Sequence, residues 1–135
     1  MNGQGQLPPI SLNELLARFV TVAQWVRSDK TLRQDAFIPP KDLNLSVTRH
    51  GQLSEAQIWQ IGQTVAYTIS EKRSAKLFGR ADVTVADVAK ALLRTEPAPL
   101  LNNPQHAHIT GWPLDKPAQK SIAQQLAAMA VFVPT

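Results

Sequence analysis

Cysteine is absent from the 135 residues. Disulfides, thiolate metal sites and cysteine nucleophiles are therefore excluded together. The same absence suits an intracellular chain, and a cytoplasmic location is expected. No apolar run reaches the roughly 18 residues that a membrane-crossing helix needs, so no membrane association is expected. The opening Met-Asn-Gly-Gln-Gly-Gln lacks the basic stretch and apolar run of a secretory leader. Among catalytic signatures there is no Gly-x-Ser-x-Gly element, no glycine-rich loop followed by Lys-Ser/Thr, and no His-Glu-x-x-His. Internal repeats and low-complexity blocks are also missing.

The sequence does have enough apolar residues for a core, at 44% of the chain. One domain is expected over residues 11–135, preceded by a loose polar tail at 1–10. Basic residues exceed acidic ones by 14 to 10, giving +4 and a pI near 9.8. That balance suits an anionic partner, but the only local cluster is Lys72, Arg73, Lys76 and Arg80. Those four are the nucleic-acid candidates; the alternative is an ordinary solvated basic surface.

Several elements can be read from spacing. Ser11-x-x-Glu14 resembles a capping box, and Leu12, Leu15, Leu16, Phe19, Val22, Ala23 and Val26 follow at helical intervals. A helix ending near Arg27 is predicted there. Residues 28–42 read as an extended connection stopped by Pro39-Pro40. The segment 43–49 alternates as a strand, with Leu43, Leu45 and Val47 inward. Ser54-x-x-Gln57 opens a second helix with Ile58, Ile61, Val65 and Ile69 as its stripe. Residues 77–82 read as a turn, although a strand can hide in 80–85 or in 36–38. Thr84 caps a third helix, with Asp87 at its N3 position. The Pro/Asn-rich stretch 96–104 is a connector. A last helix starts at Asp115 or Lys116, with Pro117 in its first turn and Ile122, Leu126, Met129 and Val133 as its core face. The fold class expected is α+β, a small sheet of two to four strands packed with three or four helices.

The most distinctive stretch is Gln105-His-Ala-His-Ile-Thr-Gly-Trp-Pro113. As a strand it places His106, His108 and Thr110 on one face and Ala107 and Ile109 on the other. His50, at the end of the first predicted strand, would complete a three-imidazole metal site only if the two strands are neighbours. Surface or hydrogen-bonded histidines are the simpler reading, and neither a metal nor any other cofactor is expected. His108-Ile-Thr110 resembles the His-x-Thr element of two-histidine phosphoesterases, but such chemistry needs two facing elements and only one is present. Arg80 follows Gly79 and could grip a phosphate, or simply pair with Asp82. Trp112 either plugs the end of the histidine strand or offers a stacking surface to a partner, while Trp25 and Trp59 fall in predicted helices.

Taken together, Ala36-Phe-x-Pro39, Leu45-Ser-Val-x-Arg49, Ile58-Trp59, Gly79-Arg-Ala-Asp82 and His106-Ala-x-Ile109-x-Gly-Trp-Pro113 resemble a group of short uncharacterised bacterial proteins. The resemblance spans roughly residues 18–130 and implies no reaction, because no activity is established for that group. Within its pattern fall Arg49, Arg80, Asp82, His106 and Trp112, which become the candidate binding residues; His50 and His108 fall outside it. The leading expectation is a small accessory module acting through a protein partner, with nucleic acid as a second kind of partner. The alternative is a small phosphodiester- or nucleotide-directed enzyme. In that reading His106 would be general acid or base and Arg49 and Arg80 would stabilise phosphate charge.

Overall fold

The computed structural model describes residues 9–71 and 75–135. Its framework is one antiparallel sheet of six strands. In chain order the strands are β1 (Leu15–Val20), β2 (Leu45–Arg49), β3 (Gly79–Thr84), β4 (Arg94–Pro97), β5 (His106–Thr110) and β6 (Val131–Pro134). Across the sheet they run β4-β5-β2-β1-β3-β6. The helices are α1 (Glu55–Ser70), α2 (Val85–Lys90) and α3 (Lys116–Met129). Two short 3-10 turns, Ala23–Trp25 and Gln34–Phe37, lie between β1 and β2. The α+β class therefore stands, with more strands than the two to four expected. No described helix is long and apolar enough to cross a membrane.

Residues 15–20 form a strand, not the helix that their spacing suggests. β1 is central and buried on both sides: Leu16 and Val20 face one core, Ala17 and Phe19 the other. A strand buried on both faces reads as a continuous apolar run and loses its alternation, which lets it imitate a helical stripe. Nor does the Ser11 cap form. Ser11 Oγ donates to Asn13 Oδ1 at 2.8 Å, and the Glu14 carboxylate is taken by Arg49. β4 and β6 come from stretches read as connector and helix end. The backbone turns extended at Ala130, so Val133 belongs to β6 rather than to α3.

Cross-strand partners share a face, so the register sorts the side chains. One face carries Leu16, Val83, Val47, Ala107, Leu45 and Ile109. It is covered by α2 and α3, with Val88, Ala123 and Leu126 fully buried against it. The other face carries Ala17, Phe19, Thr48, Ser46, His106 and His108. Only α1 covers it. This helix links β2 to β3, so it crosses β1, the strand between them.

The sequence supplies α1 with a complete capping box. Ser54 Oγ accepts from the Gln57 N–H at 3.2 Å, and Gln57 Oε1 accepts from the Ser54 N–H at 2.9 Å. Ile58 and Ala66 then pack on Phe19 and Leu77, forming a second, smaller core. Gly62 permits the close approach: a Cβ there would lie 2.7 Å from Phe19 Cε1. Because this second core sits over β1, no described helix covers the outer strands β2, β5 and β4 on that face, although Thr48 is buried with Asn103 against it. β2 and β5 keep the alternation of apolar and polar residues, and the segment 106–110 is the strand that the histidine spacing predicts.

Candidate functional site

Two polar constructions lie on the α1 side of the sheet. The first centres on Arg80, which is only 3% exposed. Its Nε donates to Asp82 Oδ1 and Oδ2 at 3.0 and 3.1 Å. Its two terminal nitrogens grip the Glu55 carboxylate at 2.9 Å each. Trp59 stacks on it, with the ring centroid 4.7 Å from Cζ. Asp82 Oδ1 also meets His50 Nε2 at 3.0 Å. Hydrogen bonding to Arg80 pulls the exposed Glu55 carboxyl below its usual range. The guanidinium fork is thus filled by two carboxylates of its own chain.

Arg49 points to the opposite face, since its cross-strand partner is Leu16 while that of Arg80 is Phe19. Its Nε and Nη2 bind the Glu14 carboxylate at 2.9 and 3.1 Å, and the residue is 2% exposed. His106 pairs with Thr48, three strands from Arg80, on the order of 14 Å at the usual strand spacing. The expected constellation of His106, Arg49 and Arg80 therefore does not share a pocket. Asp82 is likewise spent inside the network. Trp112 is the plug rather than the platform: it is 6% exposed, and its indole N–H donates to the Ile109 carbonyl at 3.0 Å. Of the basic cluster, Lys72 and Arg73 lie outside the described residues, Arg80 is buried, and Lys76 is exposed with its ammonium 5.8 Å from the Phe78 ring. Only Lys76 of that cluster is thus seen as an exposed cation.

The second construction is a groove of about 360 Å³ between α1 and the uncovered part of the sheet. One wall is the α1 stripe of Ile61, Val65 and Ile69 with Thr64 and Thr68 beside it. The facing wall is Ser46 and Thr48 of β2 and His106 of β5. Asn102, Asn103 and Leu100 form one rim, and Trp25 and Arg18 line it from the β1 side. The loop is fastened to the wall by Asn103 Nδ2, which donates to Thr48 Oγ1 at 3.0 Å. Among the five sequence candidates for binding, only His106 reaches this groove. The others that line it escaped notice because Ser, Thr and Asn carry no motif. Arg18 could have been flagged, as a lone charge inside the apolar run Leu15-Leu-Ala-Arg-Phe-Val20.

His106 is held in one tautomer. Its Nδ1 lies 2.8 Å from the Ala98 carbonyl, which can only accept, so Nδ1 carries the proton and Nε2 keeps its lone pair. Its ring meets that of His108 edge-on, with centroids 4.9 Å apart. Burial pushes the His106 imidazole below its ordinary value; the Ala98 bond opposes the shift and His108 adds to it. The groove therefore presents a neutral imidazole at pH 7. His50 pairs with Asp82 instead of joining the other two, and no group of three or more potential ligands is arranged for a metal ion among the described residues.

The lowered value sets a pH dependence. In the window below the unfolded pKa of about 6.5, the unfolded chain binds more protons at this residue than the folded chain does. The stability contributed by neutral His106 is therefore present above about 6.5 and lost as pH falls through the folded value. Thermal unfolding followed from pH 7.5 to 5 should show a falling Tm, with a shallower slope in His106→Asn. Parallel curves for the two proteins would rule out this residue as the source.

No protein-family model matches the chain, and neither does any curated protein or solved structure.

Proposed function

We propose that this chain is an accessory binding module, not an enzyme, and that it takes a short segment of a partner protein into the groove between α1 and the half-covered sheet. The observation that carries this reading is the concave surface itself: a mostly apolar wall on α1 opposed by hydroxyl, amide and imidazole groups. Binding sites combine those features, apolar area for affinity and a few fixed polar groups for orientation. The two arginines that a phosphate-directed enzyme would need are committed to carboxylates, on opposite faces of the sheet. That arrangement also weakens the nucleic-acid reading, because Arg80 drops out of the basic cluster.

A blocking substitution tests the site. Thr68 is exposed on α1 and lines the groove, so Thr68→Trp should fill it while changing stability by no more than about 0.5 kcal/mol. Wild type and variant would be used as baits in native lysate, with half of each sample treated with nuclease. A nuclease-resistant partner recovered at stoichiometric level by wild type and lost with Thr68→Trp is the expected result. Equal recovery by both baits would remove the groove from the interaction. Recovery that disappears with nuclease would assign the binding to nucleic acid.

A further inference from the structure

Arg18 occupies an unusual place. The β1–β2 ladder contains the pairs Leu16↔Arg49 and Ala17↔Thr48, whereas β1 pairs with β3 along its full length from Leu15 to Val20. Past Ala17 the sheet parts on the β2 side, and the Arg18 side chain bridges the opening. Its Nε donates to the Ala36 carbonyl at 2.9 Å and its Nη1 to the Ser46 carbonyl at 3.2 Å. The Trp25 ring lies 5.4 Å from Cζ. Those partners hold the guanidinium in position but supply no negative charge.

The other ion pairs of the described residues make the contrast plain. Arg49 has Glu14, Arg80 has Glu55 and Asp82, and Arg94 has Glu96. Arg18 has no carboxylate, and its Nη2 makes no hydrogen bond to any described residue. Burial alone lowers it to about 10, which still leaves it fully charged at pH 7. A half-buried cation without a counter-ion is costly unless something else offsets it. It also lines the groove, where no aspartate or glutamate is present among the described residues and His106 is neutral. Among the described residues Arg18 is thus the single full charge in a cleft that is otherwise apolar or neutral.

Resting on the reading of the groove as a partner-binding site, we infer that Arg18 receives a carboxylate of the bound segment, and that apolar side chains beside that carboxylate fill the α1 wall. One guanidinium matches one carboxylate in charge and in fork geometry. A dianionic phosphate would call for a second cation, which the described residues of the lining do not offer. The carboxylate can be a chain terminus or an acidic side chain, and the chemistry at Arg18 is the same for both.

The test uses acetylated tripeptides of leucine and phenylalanine, each made as the free acid and as the C-terminal amide. A third form carries an internal aspartate and a C-terminal amide. Binding to the full chain is followed by shifts of backbone and indole resonances in ¹⁵N-labelled protein. Free acids should bind at least about tenfold more tightly than amides, and Arg18→Gln should erase the difference. Tight binding of the aspartate form would place the anion on a side chain, and weak binding would place it at a terminus. Because Arg18→Gln could loosen the sheet opening, Arg18→Lys serves beside it. That variant keeps the charge without the fork, and should retain a preference for acids but a smaller one. Equal binding of acids and amides, blocked by Thr68→Trp, would overturn the carboxylate inference and keep the groove. A preference for acids that persists in folded Arg18→Gln would also overturn it. Binding indifferent to Thr68→Trp, or absent for every peptide, would overturn both.

Discussion

Replacing Arg80 by methionine should lower the unfolding free energy by about 3–5 kcal/mol, the usual cost of stripping one partner from a buried ion pair. The two arms of its fork contribute unequally. Glu55 has a side chain 67% exposed, so its pair with Arg80 resembles a surface bridge that solvent screens to a small net worth. Asp82 has a side chain 7% exposed and would be left in a dry site, with His50 as its remaining polar contact. The loss therefore comes mostly from the stranded Asp82 carboxylate and from the vacated space beneath Trp59. Chemical denaturation of Arg80→Met, Glu55→Gln and the double variant Arg80→Met/Asp82→Leu separates these contributions. The Glu55 variant should lose far less than Arg80→Met, and the double variant should recover part of the Arg80 loss. If Arg80→Met alone costs less than about 1 kcal/mol, the network does not have the structural role given to it here.

Trp112→Ala should be comparably damaging, at about 3–5 kcal/mol. The indole closes the end of β5 against the larger core, and its N–H satisfies the Ile109 carbonyl. Truncation leaves a cavity and removes one hydrogen bond to that carbonyl. Trp112→Phe separates the two effects, since it keeps most of the volume and loses the donor; a loss of about 1–2 kcal/mol is expected. Against a domain stability of about 5–15 kcal/mol, either of the larger losses brings the chain close to unfolding at room temperature. A Trp112→Ala protein as stable as wild type would mean that the indole is a surface group, and that the partner-facing reading of Trp112 should be restored.

Most local signals held where a short-range rule decided the structure, the Ser11-x-x-Glu14 box being the exception. The Ser54/Gln57 box, the Thr84 cap on the Asp87 N–H and the alternation of residues 106–110 are all present. So is the α3 start, where Asp115 Oδ2 accepts from the Ala118 N–H. What misled was burial on both faces of β1, which erased the period that distinguishes a strand from a helix. β4 and β6 are four residues each, too short for any periodicity to register. The candidate site failed in the sequence for a different reason. Arg49 and Arg80 stand out as cations within the resembling pattern, but two of their acids, Glu14 and Glu55, come from distant positions. The Arg80–Asp82 pair, two residues apart, is legible in the order of residues, but the pairings with Glu14 and Glu55 are not. The same bookkeeping, done in space, singles out Arg18.

The strand order also has a consequence for how the chain comes together during synthesis. β2 finds its outer neighbour only when β5 exists, and the pair Thr48↔His106 closes a very long loop. Until then one edge of β2 is bare, and Leu45 and Val47 stand on that strand without their facing residues. Pairings of such separation close on the order of milliseconds to seconds, far more slowly than a helix such as α1 can form. A ribosome paused between α1 and β5 would therefore expose an apolar, unpaired strand for its entire dwell, a form prone to joining another chain's edge. The wall that bears Ser46 and Thr48 becomes a wall only once the histidine strand has arrived.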